Sequence, residues 1–210
     1  MFDVFVQIYE AYGYSAREAA VSIVEHNIWG IDIDERATQL AYFSIMMKAR
    51  QYDRRFFNRG VQPHIFAIQE SNNLDPQCIE YFANGRNDLK TAMVTLVKEL
   101  SDAKEYGSIL SVTKVNFTAL FERFEEIRNE DIPNIYSYRT LETLLPFVEV
   151  AQAMAQKYHV VVTNPPYMGG TGMSPKLDAY IKSNYDRAKT DLYSVFIEKC
   201  HDMTVVNGYQ

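Results

Sequence analysis

Residues 160–167 read VVVTNPPY, a run of β-branched residues that ends in a stiff polar and aromatic turn. Valine and threonine favour extended backbone, so the run predicts a buried strand. Two consecutive prolines stop both strand and helix and hold the backbone in a defined extended turn. The sequence therefore predicts an elbow from which Asn164 and Tyr167 leave the strand end in fixed directions. Such an elbow suits a planar, amide-like ligand.

The composition is that of an ordinary globular protein, with 47% hydrophobic and 23% charged residues in a chain of 210. The net charge of −6 argues against a protein that binds nucleic acid with its whole surface, but it does not exclude a local basic surface. Cys78 and Cys200 are too few for a disulfide framework, so a reducing cytoplasm is the simplest compartment. The cysteines and the four scattered histidines match no metal spacing, and no apolar run reaches membrane-spanning length. We therefore predict no metal site and no membrane partner.

A second informative stretch lies near the start of the chain, where residues 27–33 predict a buried strand that ends in alternating carboxylates. Asp34 is placed to cap the helix that follows. A carboxylate at the carboxyl end of a parallel strand can accept two hydrogen bonds from a ribose diol, so Asp32 is a candidate for that contact. Ile33 would offer an apolar shelf for the adenine of a cofactor. The alternative is a strand-end turn in which Asp32 is merely solvated.

Two further regions complete the predicted organisation. Residues 63–70 predict a third strand that ends at Glu70. Residues 75–157 carry no strand pattern but several amphipathic helical patterns separated by glycine and proline, so they predict a helical insertion. A turn at residues 207–208 should lead into a further strand.

The Asn-Pro-Pro-Tyr sequence after an apolar strand resembles the catalytic motif of amino-group methyltransferases that use S-adenosylmethionine (SAM), above all the adenine-N6 DNA enzymes. The order of motifs, including residues 189–196, resembles the BREX phage-defence adenine-specific DNA methyltransferases, the PglX family. Residues 167–170 and 206–210 match the pattern of that family. Type IIG restriction–modification proteins resemble the chain less closely.

The resemblance implies an α/β fold with a partial Rossmann-like SAM-methyltransferase sheet. It divides the chain into a partial methyltransferase core (residues 1–74), a helical insertion (75–157) and a second partial core with the NPPY strand (158–210). The glycine-rich cofactor loop of the family would lie just before residue 1, so we expect an internal fragment that lacks the first, central strand and those after the fourth. A sheet with open edges and faces should be marginally stable and self-associating. We expect the isolated fragment to bind SAM weakly or not at all and to be inactive.

The resemblance also implies roles for individual residues. In the NPPY motif, the Asn164 side-chain oxygen and the Pro165 backbone oxygen would accept the two amino hydrogens of an adenine flipped out of DNA, with Pro166 and Tyr167 completing the motif. Tyr167 would stack on that base. Glu70 would read the amino group of the SAM adenine, although a solvated strand end is as good an explanation. DNA is the implied partner, with other defence-system proteins beside it.

Other functions remain open from the sequence alone. The same tetrapeptide serves methylation of protein glutamine and of RNA amino groups. The chain could also be a non-catalytic interaction module or a degenerate piece. The absence of the glycine-rich cofactor loop favours this alternative.

Overall fold

The computed structural model describes residues 1–169, 172–185, 187–188 and 190–210. The chain forms two compact units, residues 1–67 and residues 68–210, here called the first and second unit. Both combine helices with a small parallel sheet, which confirms the predicted mixed α/β class. Gly170 and Lys189, which belong to the motifs quoted above, lie outside the described residues.

The first unit is built on a two-stranded parallel sheet. Its elements are α1 (Phe2–Ala11), α2 (Ala16–Ser22), a π-helical turn (Ile23–Asn27), β1 (Trp29–Asp32), α3 (Glu35–Tyr52), a 3-10 turn (Phe56–Arg59) and β2 (His64–Ala67). Trp29 pairs with His64 and Asp32 with Ala67. Both predicted strands are present but shorter than expected, since the π-helical turn takes up residue 27 and β2 ends at residue 67.

Side-chain caps set two helix starts in the first unit. Ser15 and Glu18 form a reciprocal capping box at α2, in which the Glu18 carboxylate accepts from the Ser15 N–H at 2.9 Å. Asp34 accepts from the Arg36 N–H at 2.8 Å and so starts α3 just after β1. The capping role predicted for Asp34 is confirmed.

The second unit contains most of the helices. Its elements are α4 (Pro76–Ala83), α5 (Asn87–Glu99), α6 (Ala103–Tyr106), a 3-10 turn (Gly107–Ile109), α7 (Phe117–Arg128), α8 (Ile135–Ala155), β3 (Tyr158–Val160), α9 (Pro175–Asn184), α10 (Leu192–Met203) and β4 (Thr204–Tyr209). Residues 75–157, all of which the structure describes, contain no strand, as predicted.

A buried arginine fastens α7 to the end of α4. Arg123 is 5% exposed, and its Nε donates to the Phe82 carbonyl at 2.8 Å while one of its η nitrogens donates to the Tyr81 carbonyl at 3.3 Å. These carbonyls lie in the last turn of α4, where no further helical N–H can satisfy them. The Phe82 and Phe124 rings pack beside this contact, with centroids 4.7 Å apart.

The strand before the proline elbow differs from its prediction. β3 ends at Val160 and pairs in parallel with β4. Val160 is 42% exposed and Val162 is 81% exposed, so the predicted buried strand over residues 160–162 is wrong. In the described part of the chain β3 has one neighbouring strand, and little packs over the valines that follow it.

The turn predicted at residues 207–208 lies inside β4. Asn207 has a φ of 64°, and the pairing with β3 shifts register between Tyr158 and Val160, so the strand bulges. A Cβ on Gly208 would lie 2.7 Å from the His159 carbonyl oxygen. Glycine is therefore required for the close approach of the two strands, and the predicted turn takes the form of a bulge inside β4.

A buried lysine makes the stability of the second unit depend on pH. Lys199 of α10 is 6% exposed, and its Nζ donates to the Leu110 carbonyl at 2.6 Å. Burial lowers the pKa of Lys199 to about 8. Between pH 8 and the higher pKa of the unfolded chain, the unfolded state binds more protons, so stability rises with pH in that interval.

We expect the free energy of unfolding of the wild type to rise relative to that of Lys199→Met between about pH 8 and pH 10, by at most about 1.4 kcal/mol per pH unit. Urea unfolding followed by circular dichroism at several pH values measures the difference. The tyrosines are present in both proteins, so their contribution to the difference largely cancels. Parallel curves across this interval would mean that Lys199 is not the buried titrating group.

Candidate functional site

Three backbone hydrogen bonds fix the proline elbow in the second unit. The Val161 N–H donates to the Tyr209 carbonyl at 2.9 Å, which joins the end of β3 to β4. The Met168 N–H donates to the Pro166 carbonyl at 2.9 Å and closes a tight turn around Tyr167. The Leu192 N–H donates to the Met168 carbonyl at 3.1 Å. The elbow is thus held at both ends, by β4 and by the start of α10.

The polar groups of the elbow face outward. Asn164 is exposed, and Tyr167 is 92% exposed. Among the residues that the structure describes, neither the Asn164 side chain nor the Pro165 carbonyl has a hydrogen-bond partner. An amide oxygen and a carbonyl oxygen on adjacent residues are therefore open to a ligand that offers two hydrogens, beside an open aromatic face.

The first turn of α10 anchors the elbow. The sequence did not predict this contact. Asp191 caps α10 by accepting from the Ser194 N–H at 2.8 Å, and this hydrogen bond lowers the pKa of the Asp191 carboxyl. Asp191 also forms a β-bridge with Gly169, two residues after Tyr167. The Thr-Asp pair at residues 190–191 is enough to predict the cap. The contact of Asp191 with the elbow depends on tertiary packing and could not be predicted from this pair.

A cavity of about 380 Å³ lies between the elbow strand and α10, within the usual size range of small-molecule sites. Pro165 is the elbow residue that lines it, and Tyr193 and Ile197 of α10 line it from the other side. Tyr193 and Ile197 are 54% and 48% exposed, so the cavity is open to solvent. Most of the side chains that line it are apolar.

In the first unit, Asp32 is the last residue of β1 and Ile33 follows it. Both side chains are exposed. One Asp32 oxygen accepts from the Asp34 N–H at 2.9 Å, which forms the turn into α3. The carboxylate retains acceptor capacity, because an ionised carboxylate offers about four lone-pair sites. The turn and a ligand contact are therefore compatible at Asp32.

Glu70 belongs to the second unit and is exposed. One of its carboxylate oxygens accepts from the Lys104 N–H at 3.1 Å, which ties the loop after β2 to the start of α6. Part of its hydrogen-bonding capacity therefore supports the structure. The structure brings Asn164, Pro165, Pro166 and Tyr167 together in one elbow and places Asp32 beside Ile33, whereas Glu70 stands apart from the elbow in sequence and in its contacts.

The described residues contain neither a metal-binding cluster nor a helix that could cross a membrane. No group of three or more histidine, cysteine, aspartate or glutamate side chains is arranged to hold a metal ion in the part of the chain that the structure describes. None of the helices there combines the length and the apolar character that crossing a bilayer requires.

Comparison with known proteins assigns the family. Residues 26–210 match the model of the Eco57I restriction-modification methylase family. The chain belongs to this family. The predicted resemblance to the BREX methyltransferases is also confirmed, because two proteins similar to this chain are named BrxX and PglX.

The chain is similar to two curated adenine-specific methyltransferases over nearly all its length. It is 33% identical over 234 residues to "Adenine-specific methyltransferase BrxX" of Escherichia coli O9:H4 (strain HS), which covers 99% of the chain and 19% of the relative. It is 32% identical over 225 residues to "Adenine-specific methyltransferase PglX" of Lacticaseibacillus casei (strain Zhang), with 99% and 18% covered. The chain thus spans about a fifth of the length of the curated relatives that it matches.

Proposed function

We propose that this chain carries the methyl-transfer site of a SAM-dependent DNA adenine-N6 methyltransferase of a phage-defence or restriction–modification system. The observation that carries the proposal is the pair of open acceptors on the elbow, the Asn164 side chain and the Pro165 carbonyl. Two relatives named as adenine-specific methyltransferases support the choice of base.

The chemistry explains why two acceptors are needed. The exocyclic nitrogen of adenine is a poor nucleophile, because its lone pair is delocalised into the ring, and in duplex DNA it is also paired. In our proposal the Asn164 oxygen and the Pro165 oxygen each accept one amino hydrogen of the extruded base. That arrangement favours a pyramidal nitrogen with a localised lone pair, which is a positioning and electrostatic effect. The alkylated nitrogen is strongly acidic, so no dedicated general base is required.

Tyr167 would serve as the stacking surface for the extruded base. Its ring is almost fully exposed on a turn closed by the Met168 N–H. Stacking of a base on an aromatic side chain contributes roughly 1–3 kcal/mol. Pro166 would hold the ring in place by supplying the carbonyl that closes this turn.

SAM would supply the electrophilic methyl group of its sulfonium centre. We assign the ribose diol of the cofactor to Asp32, whose exposed carboxylate has capacity left beyond its hydrogen bond with Asp34. Ile33 is 46% exposed and would contact the adenine ring. Glu70 would read the adenine amino group through the carboxylate oxygen that does not bind the Lys104 N–H. On this view residues 1–74 and 158–210 are parts of a Rossmann-like methyltransferase core, and residues 75–157 are a helical insertion.

Removal of the Asp32 carboxylate should weaken SAM binding before it affects any later step. In the protein expressed from its complete reading frame, we expect Asp32→Ala to raise the SAM dissociation constant by about tenfold to a hundredfold, the range for loss of hydrogen bonds to a charged group. Isothermal titration calorimetry measures it. Asp34→Asn is the matched control, because asparagine still caps α3 and the charge change is the same. Equal affinities for the two variants would rule out the ribose contact.

The function itself is tested by methyl transfer from labelled SAM, with the protein expressed in the complete reading frame that encodes it. Duplex DNA is the main substrate, and RNA and a protein with accessible glutamines are tested in parallel. We expect label in N6-methyladenine after nuclease digestion of the DNA. Label confined to RNA or to glutamine would replace the proposal with one of those activities, and no transfer to any substrate would favour a non-catalytic role.

A further inference from the structure

A strongly basic surface lies in the first unit of this acidic chain. Residues 48–60 contain five basic residues and one acidic residue, although the whole chain has a net charge of −6. Four of the five are arginines, which lie in the last turn of α3, in the short loop after it and at the end of the 3-10 turn. We call them the arginine surface: Arg50, Arg54, Arg55 and Arg59. All four are exposed.

The one acidic residue of this segment does not neutralise its outer face. Asp53 is 3% exposed, and its carboxylate is bonded to the Nε of Arg59 and to the Arg55 N–H, the latter at 3.0 Å. In the part of the chain that the structure describes, neither Arg54 nor Arg55 has a carboxylate partner. The buried carboxylate therefore organises the turn, and two guanidinium groups stay open above it.

The turn is well defined, so these groups are presented from a rigid base. Phe56 is fully buried beneath it, and the Phe56 N–H donates to the Asp53 carbonyl at 2.9 Å. Gly60 ends the turn with a φ of 72°. The Arg50 guanidinium lies 5.4 Å from the centre of the Phe57 ring, which is itself 49% exposed. An exposed aromatic ring thus lies among the arginines.

The chemistry of this surface selects its ligand. The planar guanidinium fork matches phosphate oxygens in a bidentate manner, and arginine is the preferred residue for nucleic-acid phosphates. Exposed aromatic rings beside cations are typical of nucleic-acid surfaces and give contacts without sequence preference. We propose that the arginine surface binds the phosphate backbone of nucleic acid without reading its sequence.

This binding surface is distinct from the position proposed for the cofactor. α3 begins after Asp32 and has 18 residues, which corresponds to a length of roughly 27 Å. The arginine surface lies at the far end of that helix, before the amino end of β2. The inference does not depend on methyl transfer, so nucleic acid can be held here whatever reaction the elbow performs.

Fluorescence anisotropy with a labelled 30-base-pair duplex of mixed sequence tests the inference at 50 to 200 mM KCl. Each phosphate contact contributes about 0.9 to the slope of log K against log salt. For Arg54→Gln/Arg55→Gln we expect that slope to fall by about 2 and the affinity at 100 mM salt to drop roughly tenfold or more. Arg54→Lys/Arg55→Lys, which keeps the charge, should retain most of the slope.

The matched control is Lys98→Gln/Arg139→Gln, which removes the same charge from exposed helical positions of the second unit. It should leave both the affinity and the slope close to the wild-type values. An Arg54→Gln/Arg55→Gln protein with wild-type slope, or one no weaker than the control, would overturn the inference. So would competition by poly-glutamate that matches competition by DNA at equal charge, since it would point to an acidic protein.

Discussion

Replacement of Asn164 by alanine should reduce adenine methylation by at least about 10²-fold to 10³-fold while SAM affinity stays within about twofold of wild type. This is the range seen when one preorganised hydrogen-bonding group is removed from a transition state. The Asn164 oxygen is the side-chain acceptor on the elbow, whereas the Pro165 carbonyl cannot be removed by a side-chain change. Single-turnover methylation assays on the protein expressed from its complete reading frame separate the chemical step from DNA binding.

Asn73→Ala is the matched control for this experiment, because Asn73 is an exposed asparagine in a loop of the same unit. It should methylate at the wild-type rate. A second readout uses DNA with 2-aminopurine at the target base, whose fluorescence rises on extrusion. If Asn164→Ala kept near wild-type methylation, the catalytic assignment of the elbow would be wrong even though the chain belongs to the methylase family.

The elbow was predictable because its rigidity is local. Two prolines fix the backbone whatever surrounds them, and the caps at Ser15 and Asp34 depend on side chains two or three residues from the groups they bind. The family resemblance of residues 160–167 rested on the same local pattern. These features therefore carried over from sequence to structure.

Burial was predicted less well because it depends on distant parts of the chain. Val162 has the side chain of a buried strand residue, yet it is 81% exposed, since in the described residues β3 has one strand neighbour and little else packs over it. Strand propensity describes fit to a pleated surface and cannot say which neighbours will cover it. The bonds from Met168 to Leu192 and from Gly169 to Asp191 are likewise set by tertiary packing.

The burial of one charged side chain in the helical region could not be predicted from sequence patterns either. Residues 75–157 were predicted as amphipathic helices, and the charged face of such a helix normally meets solvent. Arg123 is the exception. Its guanidinium is buried because the end of α4 offers carbonyl acceptors at that point, which requires α7 to pack against the end of α4.

Replacement of Arg123 by alanine should therefore lower the free energy of unfolding by about 3 kcal/mol. The substitution leaves the buried Phe82 carbonyl and the half-buried Tyr81 carbonyl without a donor, and an unsatisfied buried group costs about 1–3 kcal/mol unless water reaches it. It also removes the ion pair of Arg123 with Glu126, at 3.0 Å, and leaves a cavity beside Phe124. Urea unfolding followed by circular dichroism gives the change, provided that the slope with denaturant stays constant.

Arg128→Ala on the same helix separates this effect from loss of charge or of helix propensity. Arg128 is half exposed and pairs with Glu125 at the surface, where such pairs contribute at most about 1 kcal/mol. Arg123→Lys should lose most of the stability lost by Arg123→Ala, because an ammonium group cannot reproduce the guanidinium fork between two carbonyls. Equal losses for Arg123→Ala and Arg128→Ala would show that Arg123 acts only as a surface charge. A large loss confined to Arg123 would mean instead that the helical region depends on a polar contact, one that caps α4 from a neighbouring helix.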